Sequence, residues 1–217
     1  MGSFTELGLK KEILEVLARL NFKDTLDVQE KVIPLALKGK NVVFTSRTGS
    51  GKTLAYLLGF LSKINRKAGL QMIVMVPTRE LCIQVGKEMK RVCEPLNINV
   101  GMLYGGRDFF GDNRTTTKKN QIMVGTPGRL IQHVNEKNIR VGDVKYLVYD
   151  ESDRMFDNGF YDDCDYLRER VCKNAQIILA SATITEKVES FIETVIVDYE
   201  FLKIGDLIPK NIVQEKL

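Results

Sequence analysis

Seven short apolar runs recur along this chain with helical patterns between them: Val42–Thr45, Met72–Val76, Ile98–Tyr104, Ile122–Gly125, Tyr146–Tyr149, Ile177–Ala180 and Phe201–Ile204. A run such as Met72-Ile73-Val74-Met75-Val76 has no polar face, as expected of a strand covered by helices on both sides. Parallel strands need long crossover connections, and the intervening helical patterns supply them. The expected fold class is therefore α/β, a three-layer α/β/α sandwich around a mostly parallel seven-stranded sheet. With 217 residues, 44% of them hydrophobic, the chain suits one large domain with a full core. In such folds ligands gather beyond the carboxyl ends of the strands, so the residues that follow each run are where function is sought.

The N-terminal segment, residues 1–40, reads as two helices packed on the same domain. Apolar positions at helical spacing run from Leu9 to Leu20 and again from near Gln29 to Leu37. Residues 41–205 form the main domain, and residues 206–217, with Pro209 among them, read as the start of a linker. A formal net charge of +4 is compatible with a polyanionic partner without arguing for one alone. The four cysteines lack C-x-x-C pairing and His133 is the sole histidine, which suggests neither a zinc site nor a disulfide framework. No apolar run approaches membrane-spanning length, and the expected setting is intracellular, in nucleus or cytoplasm, with no membrane partner.

Between the apolar run at 42–44 and the helical pattern from Thr53 lies Ser46-Arg47-Thr48-Gly49-Ser50-Gly51-Lys52-Thr53. A glycine-rich turn that opens a helix is a phosphate-binding loop: glycines let successive N–H groups point inward, and the helix dipole adds positive potential. Ser46, Thr48, Gly49, Ser50 and Gly51 form the cradle. Lys52 brings a full charge to the outer phosphates, and the Thr53 hydroxyl suits a magnesium ion. The strict pattern G-x-x-x-x-G-K-[ST] departs by one residue, with Ser46 in place of glycine.

About one hundred residues later the run Tyr146–Tyr149 ends in Asp150-Glu151-Ser152-Asp153. Three acids emerging from a buried strand repel one another unless a cation is near. Asp150 suits a metal ligand, directly or through water, and Glu151 suits a group that orients or deprotonates an attacking water. A solvated acidic turn capping the next helix is the alternative for this segment alone. The two sparse signals have complementary chemistry, which favours the nucleotide site.

Four further turns follow other runs: Pro77-Thr78-Arg79-Glu80-Leu81, Gly105-Gly106-Arg107, Thr126-Pro127-Gly128-Arg129 and Ser181-Ala182-Thr183. Each is weak singly. Together with residues 46–53 and 150–153, in this order and at these strand ends, they resemble the first RecA-like domain of a DEAD-box RNA helicase. The resemblance extends from about Phe4 to about Ile204.

The resemblance implies specific roles. Gln29 stands where the family reads adenine, Phe22 where an aromatic can stack on the ring, and Phe4 matches a further upstream aromatic; core packing is the alternative for both phenylalanines. An amide offers the adenine edge both a donor and an acceptor. Thr25, Leu26 and Asp27 replace the usual proline and threonine before Gln29. Lys52, Asp150 and Glu151 carry over as the catalytic set, with Thr53 and Asp150 on Mg2+. Pro77, Thr78, Arg79, Gly105, Gly106, Thr126, Gly128 and Arg129 would line the RNA side, where backbone N–H groups and arginines hold a phosphodiester chain without reading bases. Asp153, Ser181 and Thr183 would hydrogen-bond one another and couple ATP state to RNA grip. Ser152 replaces the usual alanine, and a buried hydroxyl there needs a partner.

The implied partners are ATP with Mg2+, RNA, and a second RecA-like domain that supplies an arginine finger, the chain itself being a monomer. Without that second domain it is expected to hydrolyse ATP very slowly. Two other readings stay open. One is a non-unwinding clamp that binds ATP or RNA; the other is a different P-loop enzyme, a GTPase or small kinase, disfavoured by the absence of an N-K-x-D motif.

Overall fold

The computed structural model describes residues 2–47, 49–106 and 119–205. Seven strands are present: β1 (Asn41–Thr45), β2 (Met72–Met75), β3 (Val100–Leu103), β4 (Ile122–Gly125), β5 (Tyr146–Asp150), β6 (Gln176–Ser181) and β7 (Tyr199–Lys203). They form one sheet in the order β3-β4-β2-β5-β6-β1-β7. Each of the six pairings is parallel, so the sheet is wholly rather than mostly parallel. The reason lies in the connections: nearly every strand is followed by a helix that carries the chain back across the sheet.

The period-two alternation of the strands divides the interior into two cores. Val42, Phe44, Met72, Val74, Tyr146, Val148, Ile178 and Ala180 face one core. Val43, Ile73, Met75, Leu147, Tyr149, Ile177 and Leu179 face the other. Helices α1 (Lys11–Arg19), α2 (Asp27–Leu37), α3 (Lys52–Leu61) and α4 (Arg79–Cys93) cover the first core. Helices α5 (Pro127–Asn135), α6 (Ser152–Asp157), α7 (Tyr161–Arg170) and α8 (Glu186–Val195) cover the second. Residues 9–37 contribute Leu9, Ile13, Leu17, Val28 and Ile33 to the first core, so the N-terminal helices share it with the sheet.

Two strands differ by more than one residue at an end from their apolar runs. The run Ile98–Tyr104 yields only Val100–Leu103. Asn97 turns the chain at φ 55°, the Ile98 N–H closes the preceding helix on Cys93 O at 3.1 Å, and the Asn99 N–H donates to Gln121 Oε1 at 2.8 Å. β7 begins two residues before its run, at Tyr199, because an edge strand paired only with β1 leaves Tyr199 and Glu200 exposed and so hides them from a search for buried residues.

The packing that matters most for the site is that of α2 on α3. A Cβ at Gly59 would lie 2.4 Å from the Ala36 Cβ, so the two helices meet where only glycine fits. That closeness brings the start of α2 onto the start of α3, where Gln29 and Gly51 touch.

Candidate nucleotide and RNA site

The loop after β1 is held from within. Gly49 and Gly51 take φ of 76° and 87°, left-handed values that side chains disfavour. Gly51 also lacks room for a side chain, since a Cβ would lie 2.5 Å from Gln29 Nε2. Ser46 is buried, and its hydroxyl lies 2.9 Å from that of Ser50, closing the loop on itself. Its N–H donates to Ser181 O at 3.0 Å, which ties the loop to β6. Lys52 curls back under the loop, with Nζ donating to Arg47 O at 3.3 Å and Ser46 O at 3.4 Å. Thr48 lies outside the described residues.

Gln29 is buried, and its amide is engaged on both sides: Oε1 accepts the Leu26 N–H at 3.0 Å and Nε2 donates to Gly51 O at 3.3 Å. The first bond caps α2; the second joins α2 to the phosphate loop. One N–H and one lone pair remain for a base edge. Phe22 is half-buried against the first core. Phe4 is 4% exposed inside that core, so packing accounts for it rather than stacking.

The cavity of about 200 Å³ beside the loop is lined by Gly49, Gly51, Lys52, Thr53, Asp150 and Glu151, with Leu81, Gln84, Val85 and Glu88 of α4 as its far wall. Asp150 ends β5 and is 3% exposed. Its Oδ2 accepts the Tyr56 hydroxyl at 3.0 Å, while Oδ1 is buried with no hydrogen-bond partner. Burial pushes this carboxyl up to about 6, against the pull of the nearby Lys52 ammonium. A buried carboxylate oxygen without a donor, beside a threonine hydroxyl and a phosphate loop, fits a hard divalent cation that takes oxygen ligands. Glu151 sits at φ 54°, ψ 49°, a left-handed conformation that costs a non-glycine residue on the order of 1–3 kcal/mol. Its Oε2 accepts from Arg154 Nη1 at 3.0 Å.

The residues read as coupling elements are bonded to one another. Asp153 Oδ2 accepts both the Thr183 N–H at 3.0 Å and the Thr183 hydroxyl at 2.9 Å. The Asp153 N–H donates to Ser181 Oγ at 3.3 Å, and Ser181 Oγ donates to Thr183 O at 2.7 Å. Ser152 is fully buried, and its hydroxyl has found the partner it needs, Ala180 O at 3.4 Å.

At the ends of β2, β3 and β4 the structure gathers the other group. Pro77 is buried; Thr78 caps α4 by accepting the Leu81 N–H at 3.2 Å. Arg79 opens that helix with its guanidinium over the Tyr104 ring, 5.3 Å from the centroid. A Cβ at Gly106 would lie 2.9 Å from Arg79 Nη1, so glycine permits the close approach. Gly105 and Gly106 are exposed, as is Gly128. Thr126 precedes α5, and Arg129 Nη1 donates to Gln132 Oε1 at 2.7 Å. Arg107, with 108–118, falls outside the described residues, as does the expected linker at 206–217.

Sequence reasoning missed the wall on α4 and Tyr56. The signal was present: Leu81, Gln84, Val85 and Glu88 fall at i, i+3, i+4 and i+7, one face of a helix, with two polar members where an all-core face has none. Burial holds the Glu88 carboxyl above its ordinary range, opposed by a bond to the Thr53 hydroxyl. Tyr56 lies three residues after Thr53 on α3, and hence above it.

The DEAD/DEAH box helicase family model matches residues 26–191. An ATP-dependent RNA helicase of Listeria monocytogenes, CshA, is 36% identical over 94% of this chain and 39% of its own length. A DEAD-box helicase of the same name from Geobacillus kaustophilus is also 36% identical, with 94% of this chain and 44% of that protein covered. Among solved structures, a DEAD box protein from Methanococcus jannaschii superposes with a TM-score of 0.86 at 34% identity, covering 94% of this chain and 56% of that one. The chain thus spans roughly two-fifths of the length of these curated relatives. A match over most of the chain, on a wholly parallel RecA-like sheet, means that this chain belongs to the DEAD/DEAH box helicase family.

Proposed function

We propose that this chain is the nucleotide-binding half of an ATP-dependent RNA helicase, which binds ATP with Mg2+ and the backbone of single-stranded RNA and works with a second RecA-like domain to open short duplexes. The observation that carries this reading is the junction at 150–153. Within four residues the chain passes from a buried carboxylate with an open oxygen to one that holds Thr183 by two hydrogen bonds. Residues 150–153 thereby join the nucleotide cavity to the β6 turn.

In this reading Gly49, Ser50 and Gly51 present N–H groups to phosphates, and Lys52 moves from the loop carbonyls to the outer phosphate oxygens, a stronger charge-assisted contact. Thr53 and Asp150 would hold the divalent cation, which when bound neutralises phosphate charge and draws density from the transferred group. Glu151 lines the same cavity and orients the attacking water; Arg154 balances its charge before the site is filled. Gln29 offers its remaining donor and acceptor to adenine. Arg79 and the turns at 105–106 and 126–129 hold RNA phosphates and sugars, which gives binding without a sequence code. Residues 1–40 belong to the same unit as 41–205 in this reading, with 206–217 as the start of a linker.

Calorimetric titration with ATP, ADP and GTP tests the reading. Lys52→Ala is expected to weaken ATP and ADP binding about 10- to 100-fold, in keeping with the 1.5–3 kcal/mol of a hydrogen bond to a charged group. Gln29→Ala is expected to erase a preference for ATP over GTP. Equal nucleotide affinity in the native protein and Lys52→Ala would overturn the reading.

A further inference from the structure

Tyr56 is fully buried on α3, yet its hydroxyl is not lost in the apolar core. It donates to Asp150 Oδ2 at 3.0 Å. One phenolic hydroxyl, carried by the phosphate-loop helix, thus holds the side chain at the end of β5 that is assigned to the cation. Phenylalanine would fill the same volume with no polar group to satisfy, so the packing of the core gives no reason for the hydroxyl.

The consequence for Asp150 is geometric. A carboxylate turns about its Cβ–Cγ bond, and a donor on one oxygen fixes where the other points. With Oδ2 held by Tyr56, Oδ1 is the oxygen left buried and without a partner. Among the described residues that line the cavity, no side chain other than that of Lys52 brings a positive charge to it. We propose that Tyr56 is a positioning residue for the divalent-cation site: its hydroxyl locks the Asp150 carboxylate in one arrangement, so that the cation meets an oxygen already in place. The inference rests on the nucleotide-site reading above. It concerns how the ligands are held, and outer partners of this kind typically change metal affinity 10- to 100-fold when removed.

The test is ADP binding by titration calorimetry on native protein, Tyr56→Phe and Tyr146→Phe, each with EDTA and across a Mg2+ series. Tyr146 is a buried tyrosine stacked on Phe60 and away from the cavity lining, so its variant controls for loss of a hydroxyl as such. Tyr56→Phe is expected to leave ADP affinity in EDTA unchanged and to raise the Mg2+ concentration for half-maximal enhancement about tenfold, while Tyr146→Phe changes neither. A Tyr56→Phe protein with the native Mg2+ requirement overturns the proposal. So does one whose affinity falls equally in EDTA and Mg2+, which marks a merely structural role. If the native protein itself shows no Mg2+ enhancement, the reading of the site fails before any variant is compared.

Discussion

The carboxyl edge of the sheet has two halves of opposite character. At the ends of β1, β5 and β6 several functional side chains are buried, with Asp150 3% exposed, Lys52 7% and Ser181 0%, while Thr183 at the surface is held by Asp153. At the ends of β2, β3 and β4, Arg79, Gly105, Gly106 and Gly128 are exposed. The two tasks proposed above would account for this. Phosphoryl transfer depends on charges fixed in a site that excludes water, where each interaction is stronger and no reorganisation is needed. Holding a polyanion of any sequence requires donors that reach solvent, and each adds a modest, salt-screened increment. Substitutions on the first half should therefore alter stability and metal response together, and those on the second should alter RNA affinity alone.

The largest effect expected is from Asp150→Asn. Burial raises the Asp150 carboxyl from 3.8 to about 6. Its contribution to stability is then fully present below its unfolded value near 4 and is lost as pH rises through about 6, because the folded state disfavours the ionised form. In EDTA at pH 8, Asp150→Asn should be more stable than the native protein by up to roughly 3 kcal/mol, with that part of the pH dependence gone. Urea melts at pH 4 and pH 8 check this; equal stability at both pH values in the native protein would break the contrast at its strongest point.

Asp153→Ala leaves the Thr183 N–H and hydroxyl without their acceptor and should cost about 1–3 kcal/mol. It should also uncouple RNA affinity from nucleotide state, as seen by RNA titration with and without ATP. On the exposed half, Arg79→Ala should change stability by no more than about 0.5 kcal/mol. RNA affinity should fall to a similar degree for unrelated sequences, and the salt slope should drop by about one. A loss of several kcal/mol there would show that its stacking on Tyr104 supports the fold. The smallest effect belongs to Ser152→Ala: the hydroxyl makes one long bond, 3.4 Å to Ala180 O, and its removal should cost under about 1 kcal/mol.

The legible parts of the molecule were those that depend on local pattern. Apolar runs announced seven strands, and Gly51-Lys52-Thr53 and Asp150-Glu151 announced a glycine turn that opens a helix and an acidic strand end, because backbone freedom and charge at fixed spacing are properties of short stretches. Phe4 was less legible: a phenylalanine has the same sequence signature in a core as on a ring-stacking platform, and only burial at 4% exposure separates them. Tyr56 was not legible either, since its partner lies ninety-four residues away. The start of β7 escaped for the opposite reason, its exposed residues lacking the apolar signature of the inner strands.

By itself the sequence determined the class of fold, the order of its elements and the chemistry at each strand end. The three-dimensional structure decided which of those ends meet. The order β5-β6-β1 sets Asp150, Ala180 and Phe44 in one register and places the acid beside the phosphate loop. The meeting of Gly59 and Ala36 brings Gln29 onto Gly51, and a buried tyrosine selects which oxygen of Asp150 is left open. These are contacts between segments far apart in the chain, fixed by packing at close to crystal density, and no local stretch of residues carries them.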